Sequence, residues 1–285
     1  MTQLTSEIKG FTRAIRIPHL LGIVVVQFLT ALYIIKVPQE MLLNLEFILL
    51  TGSIMMLAAA GYIINDYFDQ KIDLINRPDR VVVGIHLRRR RALIAHMGLS
   101  ILAVMIGLWI DLWLGFLNFF ASFMLWLHSS YFRRILLLGN ILVGLMHVMI
   151  ILVVAVYFQT YNIYLLAYCL FTFLLIFIRQ VVKDLRGIKG DAIHGAKTIS
   201  VIWGIRTAKK LIYIAVFCAV FLMTYFLEGS LSSDSGIYFL VFLPILVWFI
   251  FRLRSADTQS HYQTLKKSID WIILLGILSI FLLHE

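Results

Sequence analysis

Charge is what this chain has least of. Only 14% of its 285 residues are Asp, Glu, Lys or Arg, and 61% are apolar, against about 25% charged and 45–50% apolar in soluble domains. A water-soluble globule is excluded, and with a mean hydropathy of +0.94 the composition implies a polytopic, all-α membrane protein. Cysteine is nearly absent. Cys169 and Cys218 both fall inside apolar runs, and their spacing suggests neither a metal site nor a disulfide, so both are read as packing residues. No cleavable leader is expected either: Met1 to Arg16 is polar, and the apolar segment that follows is long enough to span, so the first helix is expected to be retained.

What is there, in place of charge, is a series of apolar runs. A span needs about 20 apolar residues, and such runs lie at about 18–37, 42–64, 92–110, 112–128, 136–158, 162–182, 211–228, 236–254 and 268–284, with the third and fourth meeting at Asp111. Nine spans follow, and the whole of 1–285 is expected to form a single domain. Lys and Arg in short loops stay in the cytoplasm. With a cytoplasmic N-terminus, 24 of the 25 cations fall inside and Lys36 alone falls outside. The formal net charge of +10 is thereby explained as positive-inside bias and attraction to anionic lipid, and no nucleic acid is implied. A cell inner membrane is the expected location.

The few acids are concentrated. Six of the fifteen, Asp66, Asp69, Asp73, Asp79, Asp184 and Asp191, lie in two inner segments, about 65–91 and 183–210, read as loops. Asp66 and Asp184 each follow an apolar span and are separated by four predicted helices, which suggests a faint repeat of four-helix units, helices two to five and six to nine. If the second helix continues for two turns past the membrane, Asn65, Asp69 and Asp73 share a face, with Asp66 close by. Clustered like charges beside an apolar span need a counter-ion. Mg²⁺ prefers oxygen ligands, and one or two carboxylates with substrate phosphates hold it, so the cluster suits a metal-bridged diphosphate. In the second segment Asp184 and Asp191, seven apart, share a helical face and are candidates for a second Mg²⁺. Arg186 and Lys189 are read equally as phosphate contacts or as solvated charges. His128 and His147 are given packing or hydrogen-bonding roles.

NDYFDQKID at 65–73, with INRPDR after it, resembles the N-D-x-x-D-x-x-x-D signature of the UbiA superfamily of intramembrane prenyltransferases. KDLRGIKGD at 183–191 resembles that family's second motif, K-D-x-x-D-x-x-G-D, with Gly187 where an acid is usual. AIRIPHLL and YFRRILLLGN add resemblances at Arg16, Arg133 and Asn140. The family resemblance implies nine helices around a central cavity, with cytoplasmic cap loops after helices two and six. It implies Mg²⁺-dependent transfer from an isoprenoid diphosphate, with Asp66, Asp69 and Asp184 catalytic and Asn65, Asp73 and Asp191 joining them as metal ligands. Arg16, Arg77, Arg133, Lys183 and Lys189 would bind the diphosphate, and Asn140 would line the substrate pocket. The motif stretches look most similar to the branch acting on geranylgeranylglyceryl phosphate, to which the basic run Arg88–Arg91 is suited. An aromatic quinone precursor such as 4-hydroxybenzoate is the alternative acceptor, because VVVG at 81–84 departs from the lipid branch's usual continuation. A cation-coupled transporter is the alternative class, but its acids would lie near the midplane.

Overall fold

The computed structural model describes residues 2–76, 78–228, 233–278 and 280, and side chains outside 2–6, 80, 225–228 and 233–242. Among the described residues the regular structure is helical, and one isolated bridge joins Val83 to Leu87. In hydrocarbon every backbone N–H and C=O must find its partner within the chain, and a helix does this locally. The long helices are α1 (Thr2–Ile15), α2 (Ile17–Leu29, continued by a wider turn over Thr30–Ile35), α3 (Leu45–Asn76), α4 (Arg89–Ile110), α5 (Leu112–Ser130), α6 (Leu138–Phe158), α7 (Ile163–Ile193), α8 (Gly204–Glu228), α9 (Ser233–Arg254) and α10 (Gln259–Leu278). Nine spans were expected; among the described residues seven segments are long and apolar enough to cross a membrane: Glu7–Ile35, Leu45–Asn76, Arg89–Ile110, Leu112–Ser130, Leu138–Phe158, Ile163–Ile193 and Gly204–Thr224. The chain is an integral membrane protein.

Two lengths depart from the sequence expectation and decide where the acids lie. Helix α3 has 32 residues and α7 has 31, about 48 and 46 Å at 1.5 Å per residue, against a hydrocarbon core of about 30 Å. Each therefore overhangs by about 16–18 Å, close to a dozen residues. Asp66, Asp69 and Asp73 ride on the overhang of α3, and Asp184 and Asp191 on that of α7, so both acidic segments begin as helix and not as loop. The polar N-terminus is also helical. Ala14 is buried and Phe11 and Ile15 are packed against a cluster containing Ile63, Val83 and Leu87, so α1 is an amphipathic lead-in whose apolar face is used.

The chain divides into two compact units: residues 1–32, 37–133 and 153–159 in the first, and 33–36, 134–152 and 160–285 in the second. In the first unit α3, α4 and α5 pack on one another. The α4–α5 corner is set by Asp111, whose carboxylate accepts from the backbone N–H of Trp113 at 2.8 Å and Leu114 at 3.3 Å, which caps the new helix. Below the corner the two helices approach closely at Gly107 and Gly115. A Cβ on Gly107 would lie 2.9 Å from the Gly115 Cα, so only a small residue permits the contact. Buried Asn118 donates to the Ala103 carbonyl at 2.8 Å and to the Ser53 hydroxyl at 3.1 Å, tying α5 to α4 and α3. Trp109, Trp113, Phe116 and Phe119 are exposed around this corner, as expected of an aromatic belt and lipid-facing surface.

In the second unit α7 is the central post, packed on α8 and α10, with α9 against both of those. Ile178, Val182 and Leu185 of α7 meet Ile212 of α8, Phe249 of α9 and Ile269 of α10 in one buried cluster. Asn162 starts α7 by accepting from the Leu165 N–H at 2.7 Å while its amide donates to the Ile34 carbonyl at 2.7 Å. Cys169 is buried and Cys218 exposed, and both are free thiols. His147 bonds the Val143 carbonyl at 2.8 Å within its own helix, the hydrogen-bonding role expected of it.

Asn118→Ala removes two interhelical hydrogen bonds and leaves the Ala103 carbonyl with its helical partner only. It is expected to lower stability by about 1 kcal/mol, read as a fall in the thermal unfolding midpoint in detergent, with secondary structure unchanged by circular dichroism.

Candidate active site

The first acidic group is built on the overhang of α3. Three and four residues apart, Asp66, Asp69 and Asp73 are neighbours along the helix, and like charges so placed repel. Two arginines answer this. Arg16 sits between α1 and α2 in the left-handed conformation (φ 55°), which breaks the two helices apart. Its guanidinium donates to Asp66 Oδ1 at 2.6 Å and lies 4.8 Å from the centre of the Tyr62 ring. Arg133, on the short turn Phe132–Arg134, forms an ion pair with buried Asp69. Asn65 and Asp73 are half-buried on the same overhang. Arg77 lies outside the described residues.

The segment after α3 folds back to brace this group. Gly84 (φ 92°) turns against the Gln70 side chain, so closely that a Cβ there would sit 2.0 Å from its amide nitrogen. Arg89 donates to Gln70 Oε1 at 2.8 Å and covers the Tyr67 ring at 4.3 Å. Glu7, buried on α1, takes both Arg88, at 3.4 Å, and Arg91. The basic run Arg88–Arg91, which sequence reasoning fitted to an anionic acceptor, thus has three of its four members engaged in holding α1, α3 and α4 together. Sequence alone did not single out Glu7, Tyr67 or Gln70. The available signal was one acid in an otherwise basic N-terminal helix, and two polar positions inside the first motif.

The second acidic group belongs to the second unit. Asn140 donates to Asp184 Oδ2 at 2.8 Å, and the Ser200 hydroxyl donates to the Asp184 carbonyl at 3.1 Å. Asp191 is 5% exposed, its carbonyl receiving the Ala196 N–H at 2.9 Å where the chain turns out of α7 through Gly195 (φ 67°). Lys183 is half-buried and Lys189 exposed, whereas Arg186 is 6% exposed and so is no solvated surface charge. Asn140 therefore acts on Asp184 as an orienting donor, a geometry its place in the sequence did not reveal.

As a metal site the donors are all hard oxygens, the set that suits Mg²⁺. Among the described residues no three His, Cys, Asp or Glu side chains converge to cage an ion by themselves. That fits Mg²⁺, which keeps waters and substrate oxygens and takes only one or two carboxylates from the protein.

Removing Arg133 leaves a buried carboxylate without its cation, which costs about 3 kcal/mol. Arg133→Ala is expected to destabilise the protein by that amount in detergent denaturation, and Arg133→Ala/Asp69→Asn to recover most of it. Equal stabilities of the single and double variants would contradict the pairing.

The chain is 29% identical over 170 residues to a digeranylgeranylglyceryl phosphate synthase of Methanobrevibacter smithii, covering 56% of this chain and 59% of that protein's length. It is 28% identical over 250 residues to the protein of the same name from Sulfurisphaera tokodaii, covering 85% and 87%. Its fold is similar to the solved structure of a UbiA homologue from Archaeoglobus fulgidus bound to DMAPP and Mg²⁺, with a TM-score of 0.72 over 96% of this chain and 98% of that one at 15% identity. Because residues 22–282 match the family model described as the UbiA prenyltransferase family, this chain belongs to that family.

Proposed function

We propose that this protein transfers a prenyl group from an isoprenoid diphosphate, with Mg²⁺, to geranylgeranylglyceryl phosphate in the making of ether lipids. The observation that carries the reading is the pair of carboxylates Asp66 and Asp69 on the α3 overhang, each matched with an arginine. Oxygen donors for a metal and guanidinium donors for phosphate thus occupy one small volume within the first unit. The names of the relatives favour the lipid acceptor over an aromatic one, and family membership favours transfer over cation-coupled transport.

Asn65, Asp66, Asp69 and Asp73 in the first unit, and Asp184 and Asp191 in the second, are the residues that would hold Mg²⁺, which when bound would supply positive charge against which a diphosphate can leave. Arg16 and Arg133, which neutralise Asp66 and Asp69 in the structure, turn their N–H groups to diphosphate oxygens when substrate binds. Arg77 adds charge to that anion, while Lys183 and Lys189 offer phosphate contacts beside Asp184, which Asn140 keeps aimed. The allylic C–O bond breaks, its electron pair leaving on the diphosphate, and the acceptor hydroxyl oxygen bonds to the freed carbon. The hydroxyl proton departs with the diphosphate. Apolar helix faces keep water from the allylic cation, which it would otherwise hydrolyse. In this reading α9 and α10 complete nine spans, the whole of 1–285 works as one domain, and the segments 78–88 and 194–203 cap the first and the second acidic group respectively. The acidic ends and the N-terminus face the cytoplasm from the inner membrane, a placement that the distribution of 24 of 25 cations supports.

Purified protein with Mg²⁺ and labelled geranylgeranyl diphosphate is expected to form product with geranylgeranylglyceryl phosphate and not with 4-hydroxybenzoate or a naphthoate. Chelation of the metal should stop it. Asp66→Ala and Asp69→Ala should each lower kcat by at least about 100-fold with unchanged circular dichroism, and Asp66→Ala/Asp184→Ala should lose little beyond either single change if both acids serve one step. Product from an aromatic acceptor alone would overturn the lipid assignment. Solute flux with no prenyl product from any acceptor would overturn the transferase.

A further inference from the structure

One ion cluster is left unused by the chemistry above. In the second unit, where α7 packs on α10, Arg179 Nε donates to Asp270 Oδ1 at 2.6 Å and Lys266 Nζ donates to Asp270 Oδ2 at 2.5 Å. Two cations converge on one carboxylate, so the triad keeps a net positive charge. Arg186, seven residues beyond Arg179 and hence on the same face of α7, lies within Coulombic reach of Lys266 and adds to the positive field. Holding Asp270 in place needs one cation. A second, with its side chain only 18% exposed, carries a desolvation cost that a structural ion pair does not explain.

Depth narrows the choice of anion. Arg179 is the first charged residue after the uncharged run Ile163–Ile178, about 24 Å of helix, and Asp270 is the last before the uncharged run Trp271–Leu283. The triad therefore lies near the edge of the apolar zone, about one helix turn short of the α7 overhang and beside the head-group region. It is also open on one side, since Asp270 is 37% exposed while the two cations are about half that. Charge-assisted donors presented together at that level suit a phosphate group.

The geometry points to a phosphomonoester subsite at Arg179 and Lys266, in which Asp270 presents the two cations and gives them up when the phosphate arrives. This inference rests on the lipid-acceptor reading for its identity, because a glyceryl phosphate acceptor carries that group at that depth. The phosphate of the acceptor would be gripped here by residues outside both acidic motifs, making Arg179 and Lys266 specificity-determining for an anionic acceptor.

The test is binding without turnover. The full chain in detergent is presented with a dialkylglyceryl phosphate, the matched phosphatidylglycerol-type diester, the matched uncharged dialkylglycerol, or inorganic phosphate, and retention is measured by native mass spectrometry. The monoester lipid is expected to be retained preferentially. Arg179→Gln and Lys266→Gln should each weaken retention about tenfold, the size of one lost charge-assisted hydrogen bond. Asp270→Asn should strengthen it, because a competing carboxylate is removed; a purely structural triad predicts no gain. Arg179→Gln/Asp270→Asn, which removes a cation together with its partner, guards against loss of fold and should still lose selectivity for the monoester. Inorganic phosphate bound with the same residue dependence, and no lipid retained, would keep the subsite and make its ligand soluble. Undiminished monoester retention in Arg179→Gln/Lys266→Gln, equal retention of the diester, or weakening by Asp270→Asn would overturn the proposal. Retention of the monoester with turnover on an aromatic acceptor alone would sink the function reading and leave the subsite standing.

Discussion

A carboxylate at the margin of hydrocarbon is stable only beside a counter-charge, and the recurring solution here is arginine or lysine from a neighbouring helix or turn. Asp66 has Arg16, Asp69 has Arg133, Glu7 has Arg88 and Arg91, and Asp270 has Arg179 and Lys266. Each pair ties two elements at the point where apolar packing gives out. Burial of aliphatic side chains holds the spans within each unit, but apolar surface is not directional and does not choose which helix turn faces which. The ion pairs supply that choice, at a desolvation cost that makes each carboxylate dependent on its partner.

The same constraint links stability to chemistry. A site proposed to receive a doubly or triply charged diphosphate and a divalent cation would need both signs of charge poised in a water-poor setting, and such charges cannot stand uncompensated without ligand. Pairing acids with arginines keeps the group near neutrality and holds both kinds of donor where a metal-bound phosphate would use them. Hydrogen-bonding partners then aim the carboxylates, as Asn140 does for Asp184. The folded-back segment after α3 braces the first group through Gln70, Tyr67 and Gly84, so that it is tied to the helix turns that carry the acids.

Much of the architecture was legible from the chain because lipid imposes a simple code. Apolar runs of about 20 residues mark the spans, and the seven spans among the described residues each overlap one of those runs, with Asp111 capping the turn between the third and fourth. Boundaries at the overhangs were not legible. Hydropathy reports where a helix leaves hydrocarbon and not where it stops being a helix, so α3 and α7 continue through residues that read as loop. The helix of the N-terminal segment was not legible for a related reason: its apolar residues recur at helical spacing but are too few to raise the average.

The sequence by itself determined the membrane class, the family and the identity of the acidic motifs, since composition and local spacing are written along the chain. Tertiary structure alone decided which cation serves which acid. Arg16 and Asp66 are 50 residues apart and Asn140 and Asp184 are 44 apart, while Arg179 and Asp270 are 91 apart. Pairings at such separations follow from how helices pack and where they break. One-dimensional spacing encodes the face a residue occupies, but not the helix that comes to meet it.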